Sequence, residues 1–479
     1  MTVHEPQFEA GKSPNRLVRK LVATVGASAV AVGLAVGLGA SDAAAQAKPF
    51  CTTGNLTVTV FNFSEVPFKG ALAGFQKYCP TVKVSYAIQT TSPTYQTALQ
   101  TQKLSGQLTD IIETYDSLSP TLEVDGVVQP LNKYLNAKSF YPANYWLSGM
   151  SQSYIPPAGA EPTSFVGEQF FVPIEADATV FYVNNKDLAA SHFTISPSAA
   201  TSVTASGGTI GDDWTWPQAE IVWKALTHGS TYGVCERPDW QAQWNPFIKA
   251  EGETAMSETK ADLNGAGALK AWALLIAPEK NGSAIPFSTL QKNGDQCDPS
   301  FTSGAAAMSI GVRGDLPGLQ SALGAANFNV LPMPEIQTAS GTVRPTGGGS
   351  VAWGLSSGAK DTTEALDFLH YFYSPDGYAA AEQTYGIVPA VTSIAADPTA
   401  VWATLSKNPA NNAAYTLAAD SVQAIAPQTP GTVYSDSQTN IPNAIEAVLG
   451  GTSLASAMNN LQKETETDYA GAMIPKTSG

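Results

Sequence analysis

Charge is scarce in this chain of 479 residues: only 14% of the side chains are Asp, Glu, Lys or Arg, and 40 acidic groups outnumber 25 basic ones, for a formal net charge of −15. Nucleic acid and anionic membrane surfaces are repelled by such a chain, so neither is an expected partner. Histidine is nearly missing. The four are His4, His192, His228 and His370, and none stands in a metal-like pair or beside a nucleophile motif. The phosphate-cradling G-x-x-x-x-G-K-[ST] and the zinc-binding H-E-x-x-H are absent, which removes the usual signatures of nucleotide use and zinc proteolysis. No cofactor and no metal site are expected. Some pair among 40 acidic residues will stand at glycosidase spacing by chance, so composition is no argument for that chemistry.

Long apolar runs are also few. One charge-free stretch, Leu21 to Ala40, follows Arg16, Arg19 and Lys20 and precedes Ala43-Ala44-Ala45-Gln46-Ala47, the layout of a secretory signal with small residues at the cleavage site. Residues 1–47 are therefore expected to be a signal cleaved near Ala45 to Ala47, an uncleaved anchor being the other reading. Lys48, Pro49 and Phe50 before Cys51 make no lipobox. The exported remainder holds 21 basic and 37 acidic residues, a charge near −16, and a periplasmic, extracellular or cell-surface location is expected.

Cysteine occurs four times, at Cys51, Cys79, Cys235 and Cys297, all beyond the signal and so in a compartment where disulfides persist. Cys51 lies just before the apolar run Leu56 to Phe63 and Cys79 just before the alternating run Val82 to Ile88. Adjacent parallel strands joined by a helix start at the same sheet edge. That geometry favours Cys51–Cys79 and leaves Cys235 with Cys297.

The length exceeds what one core normally supports, which predicts two lobes. Leu56 to Phe61 reads as a strand, Phe68 to Tyr78 as a helix, Val82 to Tyr86 as a strand, Tyr95 to Leu104 as a helix and Asp110 to Thr114 as a buried strand. This alternation predicts an α/β sheet with parallel strands. Residues Ser196 to Asp213, mostly Thr, Ser, Gly and Ala, read as a surface loop, and Pro217 opens a helix continuing over Ala219 to Leu226. From Thr362 onward amphipathic helices dominate, with loops near Pro389 and Pro427 to Gly431.

Several segments, in order, resemble the extracellular solute-binding proteins of ABC importers, in the large sugar-binding group that includes the maltodextrin-binding protein. They are Tyr95 to Gly106 with Asp110-Ile111; Val172-Pro173-Ile174-Glu175-Ala176-Asp177 running on to Asn185-Lys186-Asp187-Leu188; Trp214-Thr215-Trp216-Pro217; Phe301-Thr302-Ser303-Gly304 through Met308; Gly347-Gly348-Gly349; the helix Ala365 to Tyr373 with Ser374-Pro375; and Gly386-Ile387-Val388-Pro389. One residue too many stands between Pro173 and Lys186, and the disulfides are not general in the family.

The resemblance implies a two-lobed periplasmic-binding-protein-like α/β fold with a ligand cleft. The chain would cross between lobes near Ile174–Ala178, Ser309–Val312 and Pro345–Gly348. Residues 48–174 with 309–346 would form the first lobe, and 175–308 with 347–479 the second. It implies a monomer that captures a small polar solute, a mono- or oligosaccharide, for a membrane permease without altering it. A secreted glycosidase-like enzyme and a cell-surface adhesive domain are the competing functions.

A sugar site needs aromatic faces and planar hydrogen-bonding groups. Glu175 and Asp177 alternate with alanines and so share one side of an extended segment. Trp240 and Trp244 share one face if helical, which also suits core packing. Arg313 and Asp315 either reach the cleft or bridge one another, and Gly348 and Gly349, after Gly347, read as a flexible hinge or a backbone nest. Glu65, Tyr95 and Asp116, with Ser64 and Thr94, stand near the expected rim of the first lobe. Tyr434 and Asp436, expected in a loop, are further candidates, whereas Trp214, Trp216 and Trp223 read as structural.

Overall fold

The computed structural model describes residues 50–62, 64–90, 94–116, 118–135, 154–156, 163–257, 260–292, 297–349, 351–385, 387–404, 409–422 and 431–472. The expected signal over 1–47 lies outside them, as do Gly386 and Pro427. Among the described residues no helix is long and apolar enough to cross a membrane.

Strand β1 (Gly54–Phe61) buries Leu56, Val58 and Val60 completely and pairs in parallel with β2 (Val82–Gln89) and β3 (Ile111–Tyr115). The helices Glu65–Tyr78 and Thr94–Ser105 make the two crossovers between them. The expected parallel unit is thus present. Its register sets Gly54 beside Val82, the same separation of 28 residues that divides Cys51 from Cys79, and these two cysteines are joined. The second bridge is Cys235–Cys297.

After β4 (Phe171–Pro173) the chain leaves this sheet through β5 (Asp177–Ala178) and enters a second one with β6 (Val180–Asn184). Two strands of a three-stranded sheet, β8 (Ser202–Thr204) and β9 (Gly207–Ile210), lie in the stretch expected to be a loop, and β7 (Phe193–Ile195) just before it completes the sheet. Thr and Ser suit exposed strands, and at Gly208, with φ +148°, a Cβ would lie 2.1 Å from the Ser202 carbonyl oxygen, so glycine is what allows β8 and β9 to meet.

Strands β10 (Met308–Gly311) and β11 (Phe328–Pro332) flank β6 antiparallel. Side-chain alternation along β6 sends Phe181 and Val183 into one apolar core, and Val180 and Tyr182 into another on the opposite face. The first of these cores holds Trp214, Trp216 and Trp223, as expected for structural tryptophans, together with the helices Trp216–Leu226, Gln241–Ala250 and Ala266–Lys280. A small hairpin, β12 (Ile336–Thr338) with β13 (Gly341–Val343), precedes β14 (Gly348–Gly349), which pairs with β5.

Strand β15 (Val351–Leu355) then inserts antiparallel between β3 and β4, giving the first sheet the order β2-β1-β3-β15-β4. This corrects the expected division of the chain. The segment from Ser309 belongs to the second sheet, while Val351–Leu355 and the helix Thr362–Phe372 belong to the first core. The physical reason is burial: every residue of β15 is buried, as in a central strand, and the site open to such a strand is between β3 and β4. Helices Gly431–Leu449 and Leu454–Ala472 return to the second core.

Candidate functional site

The two sheets meet where the chain passes between their cores. Ile174 belongs to the first core, and Ala176 and Ala178 to the core behind β6. The return runs through Thr346 to Val351, where Gly347 and Thr179 exchange hydrogen bonds of 2.8 and 3.1 Å. A third passage runs through Ile387 to Ala395, where Ala176 N–H donates to the Val388 carbonyl at 2.9 Å and Glu175 bridges Pro389. The crossing expected at Ser309–Val312 is instead an edge strand of the second sheet, paired residue for residue with Val180–Tyr182.

At these crossings the extended backbone alternates as the sequence predicts: Glu175 and Asp177 keep partial solvent access, while Ala176 and Ala178 are buried. Both residues keep some solvent access while their carboxyl groups are surrounded by protein. Burial, then the neighbouring Glu113, pushes Glu175 up to about 7. Asp177 is held well above the usual carboxylate range by burial, then by Glu175 and Asp315, against hydrogen bonds from the Gly314 and Arg313 backbone N–H groups.

Glu113, which carried no assignment in the sequence beyond its place in a strand, underlies this pair. It is fully buried on β3, accepts from Phe61 N–H at 2.7 Å and from Ser64 Oγ at 2.5 Å, and burial pushes it up to about 8. Its signal was legible: a lone charge inside Ile111-Ile112-Glu113-Thr114 has to find partners in the core.

The other candidates divide. Arg313 is buried, donates to Asn412 Oδ1 at 2.7 Å and lies 4.6 Å from the Tyr415 ring, while Asp315 accepts from Val312 N–H at 2.8 Å. Each serves its own surroundings, and burial raises Asp315 above the ordinary carboxyl range. Trp244 is a correction. It is fully buried, donates to the Asp239 carbonyl at 3.1 Å and packs 5.9 Å from Trp272, so it is core. Trp240, half-buried, precedes the helix Gln241–Ala250 with extended φ and ψ, so the two do not share a helical face.

Tyr95 is buried as well, its hydroxyl donating to the Glu113 carbonyl at 2.7 Å. Glu65 pairs with Lys69 at 2.5 Å on the outer face of its helix. Asp116 ends β3 at a buried turn, and Thr94 is exposed. Gly348 and Gly349 form a ladder with Ala178 and Asp177 rather than a loose hinge. At Gly347 a Cβ would stand 1.7 Å from the Ala242 carbonyl oxygen, so glycine is required by close approach. Asp436 is exposed on the helix Gly431–Leu449, not in a loop, and the Tyr434 side chain lies outside the described residues.

Ser64, Phe68, Glu175, Trp353 and Phe372 line a cavity of about 20 Å³ beneath the crossings, room for one water-sized group. A wider surface hollow of about 420 Å³ lies elsewhere, on the second lobe, around Glu220, Ala277, Lys280 and Leu454. Gly354-Leu355-Ser356-Ser357-Gly358 matches the hydrolase nucleophile pattern G-x-S-x-G. Ser356, however, is fully buried and pairs with Val128, whereas His228 lies by Asp187 and His370 by Phe50. Among the described residues no histidine is placed to activate it. Among the described residues no three His, Cys, Asp or Glu side chains are placed to hold a metal ion.

Two sheets, three passages and a recessed polar seam define a two-lobed binding protein. Residues 70–414 match the bacterial extracellular solute-binding protein family, and the chain belongs to it. No curated protein is similar to it in sequence. Among solved structures it is similar to the sugar-binding protein MalE of Xanthomonas citri, with 16% identity and a TM-score of 0.69 over 87% of this chain and 98% of that one. It is also similar to a cyclic alpha-maltosyl-1,6-maltose binding protein of Arthrobacter globiformis, with 16% identity and a TM-score of 0.67 over 88% and 100%. Maltose-bound MalE3 of T. maritima matches at 16% identity and a TM-score of 0.62 over 87% and 100%.

Proposed function

We propose that this protein captures a mono- or oligosaccharide between its lobes and hands it, chemically unchanged, to the permease of an ABC importer. Residues 1–47 direct export and are removed near Ala45 to Ala47, and the remainder works outside the cytoplasm as a monomer. The first lobe comprises residues 48–174 with 351–394, and the second 180–343 with 431–472. Glu175 and Asp177 are the first ligand contacts, with Trp240, Asp116 and Asp315 as further ones. The carrying observation is the alternation at the first crossing, where Glu175 and Asp177 keep some solvent access while the intervening alanines are buried. Carboxylates so placed suit the paired hydroxyls of a sugar ring.

A thermal-shift screen of residues 48–479 against sugars, polyols, amino acids and peptides tests the reading. A solute that binds only the folded state adds about 2.7 kcal/mol at a hundred times its dissociation constant. Stabilisation by one saccharide class, recovered intact, supports the proposal. Conversion of the saccharide during incubation refutes it in favour of an enzyme, and stabilisation by amino acids or peptides alone refutes the choice of solute.

A further inference from the structure

Trp353 is held by its strand and by rings. On β15 it stands opposite Glu113 of β3 and Val172 of β4, and its indole is 4.5 Å from Phe372, 5.3 Å from Phe368 and 6.2 Å from Phe68. It is 1% exposed, and its Nε1–H has no acceptor among the described residues. A buried N–H without an acceptor is costly, and the rings around it leave little freedom to turn toward one. Trp353 also lines the one-water cavity under the crossings, together with Ser64, Phe68, Glu175, Phe372 and Ile387.

The polar groups of that cavity specify its occupant. Trp353 offers a donor. Ser64 Oγ already gives its proton to Glu113, which leaves it an acceptor. Glu175 offers a carboxyl able to accept. A carbonyl oxygen has no proton to give to Ser64 Oγ or to the ionised Glu175 carboxylate, and an ammonium cannot satisfy Trp353, because it has no lone pair. A hydroxyl does both, and the remaining walls, Phe68, Phe372 and Ile387, are apolar and suit the carbon that bears it.

We propose that this cavity is a hydroxyl subsite: one hydroxyl of the bound solute enters it, accepts from Trp353 Nε1–H and donates to Glu175. The proposal rests on the reading of the cleft as a saccharide site and adds which group of the saccharide is read, and by what. Specificity then favours a sugar with a projecting hydroxyl over its deoxy counterpart, since loss of the hydroxyl leaves two buried polar groups unpaired.

The experiment follows the Trp353 indole N–H resonance, assigned by its loss in Trp353→Phe, while D-glucose, D-galactose, D-mannose and their 6-deoxy counterparts are added. Melting temperature reports binding in the same samples. The expected result is a shift of that resonance with a stabilising hexose and about tenfold weaker binding in Trp353→Phe and Glu175→Leu. Glu175→Gln, which keeps a donor and an acceptor, holds within a few-fold, and the ligand-free Trp353→Phe protein melts within a few degrees of the parent. A hexose that stabilises the protein while the indole resonance stays fixed and Trp353→Phe binds normally overturns the subsite, a resident water then being the occupant, and leaves the saccharide reading intact. Absence of stabilisation by these hexoses and by the mono- and oligosaccharides of the thermal-shift screen alike overturns both.

Discussion

Glu113 shows how far one side chain governs the site. A carboxyl at zero exposure is stable chiefly when protonated, and burial lifts it from 4.5 to about 8. Glu382 is lifted likewise to about 8, Glu175 to about 7, and Asp298 from 3.8 to about 7. In each the folded state holds protons that the unfolded chain has released, so their stabilising contribution is complete below about pH 4 and is lost as pH rises toward 8. Thermal melts are therefore expected to show higher stability at pH 5 than at pH 8. Glu113→Gln, which cannot ionise, is expected to flatten that slope, and an unchanged slope would mean that Glu113 is charged in the fold. The tryptophans give a second contrast. Trp244→Ala removes a fully buried ring and is expected to cost about 3–5 kcal/mol in denaturant unfolding, whereas half-buried Trp240 is expected to cost clearly less.

At the scale of elements, registers decide what residues can reach. Parallel pairing of β1 with β2 sets Cys51 beside Cys79, and the bridge closes a 28-residue separation; Cys235–Cys297 closes 62. By chain entropy these contribute roughly 3.6 and 4.3 kcal/mol. Reduction is expected to lower the melting temperature by several degrees, read in a scan with and without reductant. Gly347→Ala tests the second passage. A methyl group cannot be placed 1.7 Å from a carbonyl oxygen, so the backbone joining Gly347 to Thr179 has to shift, and a loss of stability is expected with all other contacts retained.

On the scale of the whole molecule, three short passages join two bodies that each have their own sheet and core. Bodies so joined close around a ligand by hinge motion, and a solute that binds both stabilises the closed state only by its differential affinity. A saccharide that stabilises residues 48–479 is expected to reduce their radius of gyration in solution scattering. An unchanged radius at saturation would show that binding is confined to one lobe.

Much of this was legible locally. The parallel strand–helix–strand unit, the first disulfide, the structural tryptophans and the outward alternation of Glu175 and Asp177 all follow from periods of two and 3.6 and from spacing along the chain. What the sequence by itself could not determine is everything set by partners far away in it. Strand β15 joins the first sheet because a gap between β3 and β4 accepts it, more than 200 residues after β3 has formed its pairs. Trp244 is core rather than cleft because Trp272 lies against it, and Gly347 is glycine because Ala242 is near. Periodicity reports which face of an element is apolar; only packing between distant elements decides which face meets another core and which meets a solute.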